Sequence, residues 1–306
     1  MAPGPLLMID CASLTYRAYH AVPPAKAADG SEVHAIRGFL DFTSRLITDR
    51  KPSRLWVALD ADWRPAFRVE ALPTYKTHRV AAAEEDIDPV APQMVVLEQV
   101  LDAFGISTAS AEGFEAEDVI ATLAKRTTDP VEVVTGDRDL YALVADAHVT
   151  VLYTLRGVSE LAHVNAAWVA QKYGIPGDRY IDYALLRGDP SDGLPGVVGI
   201  GEKTASSLLA RYGSLDAILA ATDLSPTIRA RLRASADYLV AARRVVAPVT
   251  DCPVTGGDGT IPRAPADPAA LLELAKQHSI ETAVTRLLNV LSARVSRISP
   301  SPGRNG

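Results

Sequence analysis

The chain has 306 residues, enough for one large domain or two smaller ones, and its 48% hydrophobic and 22% charged residues are typical of a folded globular protein. Two cysteines are too few for a disulfide framework or a cysteine-rich zinc site. No apolar run approaches a membrane span, and the first residues lack a basic secretory segment, so the sequence predicts a cytosolic protein. The net charge of −6 does not exclude a nucleic-acid partner, because an enzyme that binds hard cations concentrates its acids in one place.

Two apolar runs near the N terminus predict buried strands that each end in an acid. Leu6–Ile9 is followed by Asp10, and Leu55–Leu59 is followed by Asp60. Between them, the spacing of apolar residues predicts a helix over 36–47. Because open α/β sheets bind ligands at the carboxyl ends of their strands, these two aspartates are candidate functional residues.

The segment at about 64–93 differs from its surroundings. It carries a basic first half and an acidic run at 84–88 bounded by prolines, with little apolar periodicity. A loop of this length inside a compact domain is usually functional or disordered. Two interpretations stay open at this point, a functional segment and a solvated surface insertion.

The middle of the chain alternates predicted helices and strands. Helices are predicted at 94–104, at 119–125 and from residue 140, and strands at 131–135 and 149–152. This alternation predicts an α/β fold whose central sheet is mainly parallel, with right-handed crossovers.

From residue 165 the pattern is helical as far as about residue 246, which predicts a second, all-helical lobe. The expected organisation is an α/β domain at 1–164, a helical lobe at 165–249 and a C-terminal part at 250–306. In that last part we expect a linker rich in Gly, Pro and Asp, two short helices over 268–291 and a disordered tail from 298.

Carboxylates cluster at the ends of the predicted elements. Each alone has an ordinary explanation, such as a helix N-terminus or a turn, but together they would repel one another unless cations neutralised them. Oxygen ligands without His or Cys favour Mg²⁺ or Mn²⁺ over zinc, and the number of acids indicates at least two ions. Two such ions form the clamp used for phosphodiester cleavage. The residues are Asp10, Asp60, Glu115, Glu117, Asp118, Asp137, Asp139, Asp189 and Asp192.

A glycine-rich turn, Gly199-Ile200-Gly201, follows a Leu-Pro-Gly turn and precedes a helix predicted to begin near Glu202. This is the arrangement of a helix–hairpin–helix element, whose free backbone amides contact the DNA backbone without reading its sequence. Lys203 and Thr204, in the first helical turn, are expected to add contacts.

Six separated blocks of residues occur in one order between residue 6 and about residue 220. They are Leu7–Ser13 with Tyr16–His20, Val57–Asp60, Phe67–Arg68 with Tyr75–Arg79, Gly113–Ala124, Thr135–Tyr141 and Gly188–Ala205. In this order they resemble the flap endonuclease / 5′–3′ exonuclease family, in the bacterial type found as the N-terminal domain of DNA polymerase I.

The resemblance implies a PIN-like (resolvase-like) nuclease domain with a helical arch at about 64–93, and a helix–hairpin–helix lobe that binds duplex DNA and K⁺. It implies a stand-alone structure-specific 5′ nuclease that hydrolyses DNA at 5′ ends and 5′ flaps with two or more Mg²⁺ or Mn²⁺ ions. Its expected setting is replication and repair in the bacterial cytosol or nucleoid, including Okazaki fragment processing. The expected partner is DNA with a 5′ flap, nick or 5′ end, with RNA–DNA hybrids left open, and a monomer without membrane contact is expected.

Carried over by position, the resemblance also implies a role for each residue. Asp10, Asp60, Glu115, Glu117, Asp118 and Asp137 would serve a first metal, and Asp139, Asp189 and Asp192 a second, with Asp137 able to lie between them. Lys76 and Arg79 would contact the scissile phosphate and Arg17 would act near it. Tyr19, Arg68 and Tyr75 would contact DNA, Tyr75 by stacking on a base.

Three positions depart from the family pattern. Glu117 stands where Asp is common, Cys11-Ala12 replaces Gly-Ser, and Gly193 replaces Asn. Two other functions stay open on the sequence alone. One is a structure-specific DNA-binding paralogue without activity, and the other is a PIN-type ribonuclease that acts on RNA.

Overall fold

The computed structural model describes residues 4–77, 79–80 and 88–298, with side chains as far as Ala293. Part of the predicted arch and the predicted C-terminal tail therefore lie outside the described residues. The strands are β1 Leu6–Asp10, β2 Arg54–Ala58, β3 Thr108–Ser110, β4 Val131–Thr135, β5 Val149–Arg156, β6 Glu160–Val164 and β7 Thr255–Gly256. They form one sheet in the order β6-β5-β4-β1-β2-β3-β7. The pairs between β5 and β3 are parallel, and the two edge pairs, β5–β6 and β3–β7, are antiparallel.

Helices accompany the sheet and build the second lobe. Those of the first part are α1 Cys11–Ala21, α2 His34–Arg50, α3 Ala66–Ala71, α4 Ala91–Phe104 and α5 Ala116–Lys125, and a 3-10 helix at Asp139–Ala145 follows β4. The lobe contains α6 Ala166–Tyr173, α7 Tyr180–Arg187, α8 Glu202–Tyr212, α9 Leu215–Ala220, α10 Pro226–Ala234 and α11 Ala236–Val246, followed by α12 Pro268–Gln277 and α13 Glu281–Ile298. None of the helices in the described ranges is long and apolar enough to cross a membrane.

The sheet is buried on both faces. In β1, Leu6 and Met8 join an apolar cluster that includes α5 and the second lobe, whereas Leu7 and Ile9 join a cluster formed with α1, α2, α4, α12 and α13. This alternation follows from the two-residue period of a strand. Two covered faces explain why the inner strands are continuous apolar runs in the sequence.

The predicted fold class is confirmed, because a mainly parallel sheet is followed by a helical lobe. Several elements of the first domain escaped prediction, namely α1, α3, β3 and β6. Helix α1 is polar and aromatic, and only Cys11, Leu14, Thr15 and Ala18 of it are buried. Strand β5 continues beyond residue 152, where the predicted strand ends, and the chain then turns back as β6. Buried and exposed residues alternate only weakly in this segment.

The segment predicted as a linker at 250–267 is instead packed against the sheet. Its strand β7 pairs with β3, the indole N–H of Trp56 donates to the Gly257 carbonyl over 2.9 Å, and the Leu55 N–H donates to the Gly259 carbonyl over 2.8 Å. A Gly- and Pro-rich segment can cover a sheet edge in this way because the bonds use only its backbone. The C-terminal helices were predicted, but α13 extends beyond the expected end at residue 291.

Replacing Gly259 by alanine should detach this segment. Gly259 has φ +79°, and a Cβ there would lie 2.4 Å from Cζ2 of the buried Trp56 ring. Left-handed strain costs about 1–2 kcal/mol and overpacking about 1–3 kcal/mol, so we expect the free energy of unfolding in urea to fall by their sum. The control Gly30→Ala has φ +89° with nothing within 4 Å of its Cβ, and should show only the strain. Equal losses in the two variants would contradict the packing of this segment.

Candidate active site

The carboxyl ends of β4, β1 and β2 open into a cavity of about 810 Å³. Because these strands are parallel neighbours, Asp10, Asp60 and Asp137 meet at one edge of the sheet, as the sequence predicted. Glu115 and Glu117 reach the cavity from the start of α5, and Asp189 reaches it from the second lobe. The cavity therefore collects acids from both parts of the chain.

Asp10 and Asp60 are held by hydrogen bonds to neighbouring elements. Asp10 accepts the Ser13 N–H over 3.1 Å, which caps α1, and the Thr135 hydroxyl over 2.8 Å. Asp60 accepts the Ala116 N–H over 2.7 Å. Burial, with the charge of Asp60 beside it, raises the pKa of Asp10 to about 7, and burial also raises the pKa of Asp60. Both carboxylates are thus fixed in position and poorly solvated.

Glu117, Asp137 and Asp139 form a closer group, in which one oxygen of each lies within 4.8 Å of the others. The Asp137 carboxylate accepts the Asp139 N–H over 2.9 Å. Burial is the main cause that raises the pKa of all three, and the charges of neighbouring carboxylates raise each further. Desolvated like charges favour a bound cation, and a donor set of carboxylate oxygens alone fits a hard divalent ion.

The second lobe supplies Asp189 and Asp192 from a short 3-10 turn, Pro190–Asp192. Asp189 accepts the Ser191 N–H over 2.9 Å and pairs with Arg187 at 3.0 Å. Asp192 is 4% exposed and pairs with Arg79 at 2.8 Å. The charge of Asp192 also raises the pKa of Asp137 and of Asp139, so this turn belongs electrostatically to the same cluster.

The structure corrects the prediction that Arg68 contacts DNA. Its side chain is 0% exposed and lies beneath the acids, with nitrogens 2.5 Å from Glu115, 2.6 Å from Glu117 and 2.7 Å from Asp118. Its Nε also donates to the Val245 carbonyl over 3.1 Å, at the end of α11. Arg68 therefore offsets three buried charges and ties them to the second lobe. No pattern in the sequence indicates this supporting role of Arg68, because the pairing depends on how α3 packs against α11.

Asp118 and Glu115 are largely occupied by protein partners. Asp118 is 0% exposed, and besides Arg68 it accepts the N–H groups of Val249 over 2.7 Å and Glu115 over 3.2 Å. The last bond belongs to a capping box at the start of α5. Asp118 thus supports the cavity wall from behind, whereas Glu115 lines the cavity and pairs with Lys76.

The predicted stacking of Tyr75 on a base is also wrong, because Tyr75 is 2% exposed and donates its hydroxyl to Glu115 over 2.7 Å. Burial and the nearby carboxylates raise its pKa, which keeps it a neutral donor. Lys76 follows in a left-handed conformation, φ 49°, and its N–H donates to the Asp192 carbonyl over 3.0 Å. Lys76 and Arg79 both line the cavity, and their contact with a phosphate stays a prediction from the resemblance.

Two of the three departures from the family pattern have a structural explanation. A Cβ at Gly193 would lie 2.1 Å from the Thr74 carbonyl oxygen, and φ there is +73°. Gly193 thus permits the segment before Lys76 to dock on the second-lobe turn. Of the Cys11-Ala12 pair, Cys11 is buried in the apolar cluster formed with α1 and α2, and only Ala12 lines the cavity. Glu117, the third departure, forms an ion pair with Arg68 and has a carboxylate oxygen within 4.8 Å of oxygens of Asp137 and Asp139.

The glycine turn lies at the cavity rim, where Gly201 and Glu202 contribute to the lining. Gly201 is the N-cap residue of α8 and makes no side-chain hydrogen bond, and a Cβ placed on it would have nothing within 4 Å. The prediction that Ile200 contacts DNA is wrong, because its side chain is 3% exposed and its N–H donates to the Val197 carbonyl over 2.8 Å. Lys203 is exposed and Thr204 half-buried, which leaves both accessible to a ligand.

Four further side chains lie near the cavity. Arg187, Arg138 and Tyr16 were not predicted as site residues from the sequence, whereas Arg17 was predicted but lies elsewhere than expected. Arg187 pairs with Asp189 and, at 3.5 Å, with Glu202, so it joins an acid of the cluster to the glycine turn. Arg138 and Tyr16 line the cavity. Arg17 lies behind the cavity wall formed by Gly136.

Tyr19, predicted to contact DNA, faces another part of the molecule. Its hydroxyl donates to Glu32 over 3.1 Å, and its ring lies 4.4 Å from that of His34. It does not line the cavity. Its contact with DNA stays a prediction from the resemblance.

Removing the Arg68 charge should destabilise the protein strongly. Arg68→Met leaves three buried carboxylates without their common partner, for which we expect a loss of about 3–5 kcal/mol in the free energy of unfolding. The control Arg156→Met changes an 85% exposed side chain and should stay within about 0.5 kcal/mol. Urea denaturation in EDTA measures both. A loss for Arg68→Met no larger than for the control would refute the supporting role.

Neutralising one acid of the close group should have the opposite effect. In EDTA, Asp139→Asn relieves like-charge repulsion and should raise the free energy of unfolding by about 0.5–2 kcal/mol. In saturating MgCl₂ the gain in free energy of unfolding over wild type should shrink, because the variant has lost one of the carboxylates that would bind the metal ion. Thermal melts of wild type and variant in both buffers measure this. Asp146→Asn, an exposed acid paired with Lys125, is the control and should not be stabilised.

Comparison with known proteins agrees with this architecture. Residues 5–174 match the family described as 5′–3′ exonuclease, N-terminal resolvase-like domain, and residues 175–268 match 5′–3′ exonuclease, C-terminal SAM fold. The chain is 50% identical over 301 residues to a 5′–3′ exonuclease of Streptomyces coelicolor, covering 94% of this chain and 100% of that protein. It is 37% identical over 294 residues to DNA polymerase I of Mycobacterium tuberculosis, covering 94% of this chain and 32% of the polymerase.

Among solved structures, the bacteriophage T5 flap endonuclease, in a complex with DNA and metal ions, superposes with a TM-score of 0.63. Identity is 18%, and the match covers 94% of this chain and 98% of the phage protein, which shows a shared fold. The family matches cover both the sheet domain and the helical lobe, and a relative of equal extent is half identical. The chain belongs to the 5′–3′ exonuclease family, and it is a nuclease.

Proposed function

We propose that the chain is a metal-dependent, structure-specific 5′ nuclease that hydrolyses DNA phosphodiesters at a junction between single strand and duplex. The observation that carries the proposal is the cavity in which strand-end acids, acids of the second lobe and the cations Lys76 and Arg79 converge. The names of the relatives support the reaction class. The match of this chain to DNA polymerase I supports a role in replication and repair, including processing of Okazaki fragments.

The acids of the cavity would hold Mg²⁺ or Mn²⁺. Asp10, Asp60 and Glu117 would hold one ion, and Asp139, Asp189 and Asp192 another, with Asp137 able to serve both. Such ions, when bound, lower the pKa of water and stabilise the charge that develops during in-line hydrolysis. The donor set fits because it consists of oxygens, and because burial and the charges of neighbouring carboxylates raise the pKa of Asp10, Asp137 and Asp139.

The protein's own cations have two separate tasks in this proposal. Lys76 and Arg79, which line the cavity, stabilise negative charge on the phosphoryl oxygens. Arg68, which does not reach the cavity, keeps Glu115, Glu117 and Asp118 in place. Because Lys76 and Arg79 pair with Glu115 and Asp192, they are already held beside the site where the phosphate would bind.

The second lobe positions the duplex. The amides at the start of α8, next to Gly201, suit a phosphate of the DNA backbone and would hold it without reading sequence. Arg187 links this turn to Asp189. We therefore propose DNA with a 5′ flap, nick or 5′ end as substrate. K⁺ at the turn stays a prediction from the resemblance.

The proposal is tested with 5′-labelled flap, nicked and blunt duplexes, incubated with and without Mg²⁺ or Mn²⁺. We expect metal-dependent cleavage at the junction, abolished in Asp137→Ala and in Asp189→Ala while flap binding persists. Asp129→Ala, an exposed acid outside the cavity, is the control and should cleave normally. Undiminished cleavage by Asp137→Ala, or cleavage of RNA alone, would reject the proposal.

A further inference from the structure

A second groove, of about 600 Å³, lies between α1, α2 and the turn that joins β5 to β6. Helix α1, helix α2 and the end of β5 each contribute an arginine, namely Arg17, Arg45 and Arg156. Asp41 is the acid among the residues that line the groove, and its carboxylate pairs with Arg286 at 2.7 Å. On a chain whose net charge is −6, this groove is a local basic surface.

The arginines of the groove are available for a ligand. The side chains of Arg45 and Arg156 are 52% and 85% exposed, and within the described part of the chain each pairs only with an exposed acid four residues further on, at 3.3 Å and 3.7 Å. Such exposed pairs contribute little free energy, so a phosphate can replace them. The guanidinium group suits this ligand because it binds a phosphate with two N–H groups and also stacks on bases.

The groove also contains apolar surface. Phe42 and Leu155 contribute to its lining, and Leu155 is 47% exposed. The turn approaches the Phe42 ring closely because Gly157 lacks a side chain, since a Cβ there would lie 2.9 Å from Cζ. A duplex presents its phosphates and sugars outward, whereas a single strand can also place an unstacked base on such a surface.

The groove adjoins the wall of the active-site cavity. Gly136 lines the cavity, and a Cβ on it would lie 3.2 Å from Nη2 of Arg17, 3.1 Å from Oγ of Ser13 and 3.0 Å from Oγ1 of Thr154. The Thr154 hydroxyl is buried and has no hydrogen-bond partner among the residues that the structure describes. One glycine therefore separates the cavity from Arg17, the first cation of the groove.

We infer that this groove binds a short single-stranded segment of the DNA substrate beside the active-site cavity. The inference rests on the proposed function. Arg17, Arg45 and Arg156 hold the phosphates, and a base lies on Phe42 and Leu155. Two sources share this chemistry, the 5′ flap strand and an unpaired stretch of the complementary strand.

The test compares two double charge reversals. Arg45→Glu/Arg156→Glu alters the groove, and both side chains are exposed, so the fold should persist. Arg54→Glu/Lys125→Glu is the control, because Arg54 begins β2 and Lys125 ends α5, at the edge of the sheet opposite the cavity. Affinity is measured in EDTA, where no strand is cut, for a blunt duplex, a duplex with a 5′ flap and a duplex with a gap in one strand.

Arg45→Glu/Arg156→Glu should lower affinity for a single-strand-containing DNA at least about tenfold at low salt. The slope of log affinity against log salt should become shallower by about 1.4, which is two phosphate contacts at about 0.7 each for a single strand. A loss confined to the flap DNA assigns the flap strand, and one confined to the gapped DNA assigns the complementary strand.

An equal loss on blunt duplex, or a loss no larger than that of the control, would overturn the inference. Cleavage by wild type in Mg²⁺ is followed in parallel. A wild type that cuts none of these DNAs removes the proposed function, whereas a wild type that cuts, together with unchanged affinity of the groove variant, removes the groove alone.

Discussion

The arrangement of the structure depends on how its buried negative charge is compensated. Carboxylates that converge on one cavity are poorly solvated and repel one another, as the raised pKa of Asp10 shows. Arg68 compensates part of this charge from inside the protein, where it contacts Glu115, Glu117 and Asp118. Among the residues that the structure describes, Asp137 and Asp139 form no such ion pair, which leaves their charge for cations to neutralise.

The same contacts join the two parts of the chain. Arg68 reaches the end of α11, and the Asp118 carboxylate accepts the N–H of Val249, so the acids of α5 are hydrogen-bonded to the second lobe. On the other side of the cavity, Arg187 links Asp189 to the start of α8. Side-chain contacts therefore join the glycine turn to the acids of the cavity.

Much of the cavity could be predicted because its residues follow strands. Asp10 and Asp60 directly follow apolar runs, and parallel pairing forces such positions to one edge. Arg68 and Tyr75 were misassigned because both lie in a segment that is basic and aromatic, which is also the composition of a DNA contact. Their burial depends on α3 packing against α11 and on hydrogen bonds to acids far away in the sequence.

The sequence by itself determined the parallel sheet, the helical lobe, the acids and the glycine turn, since apolar periodicity and strand ends are local properties. Tertiary structure alone decided which cation faces solvent and which lies inside. It also showed that residues 255–259 extend the sheet, since edge bonds made by the backbone leave no side-chain pattern. Charge pairing and backbone bonding join residues distant in sequence, and such partners follow only from the folded arrangement.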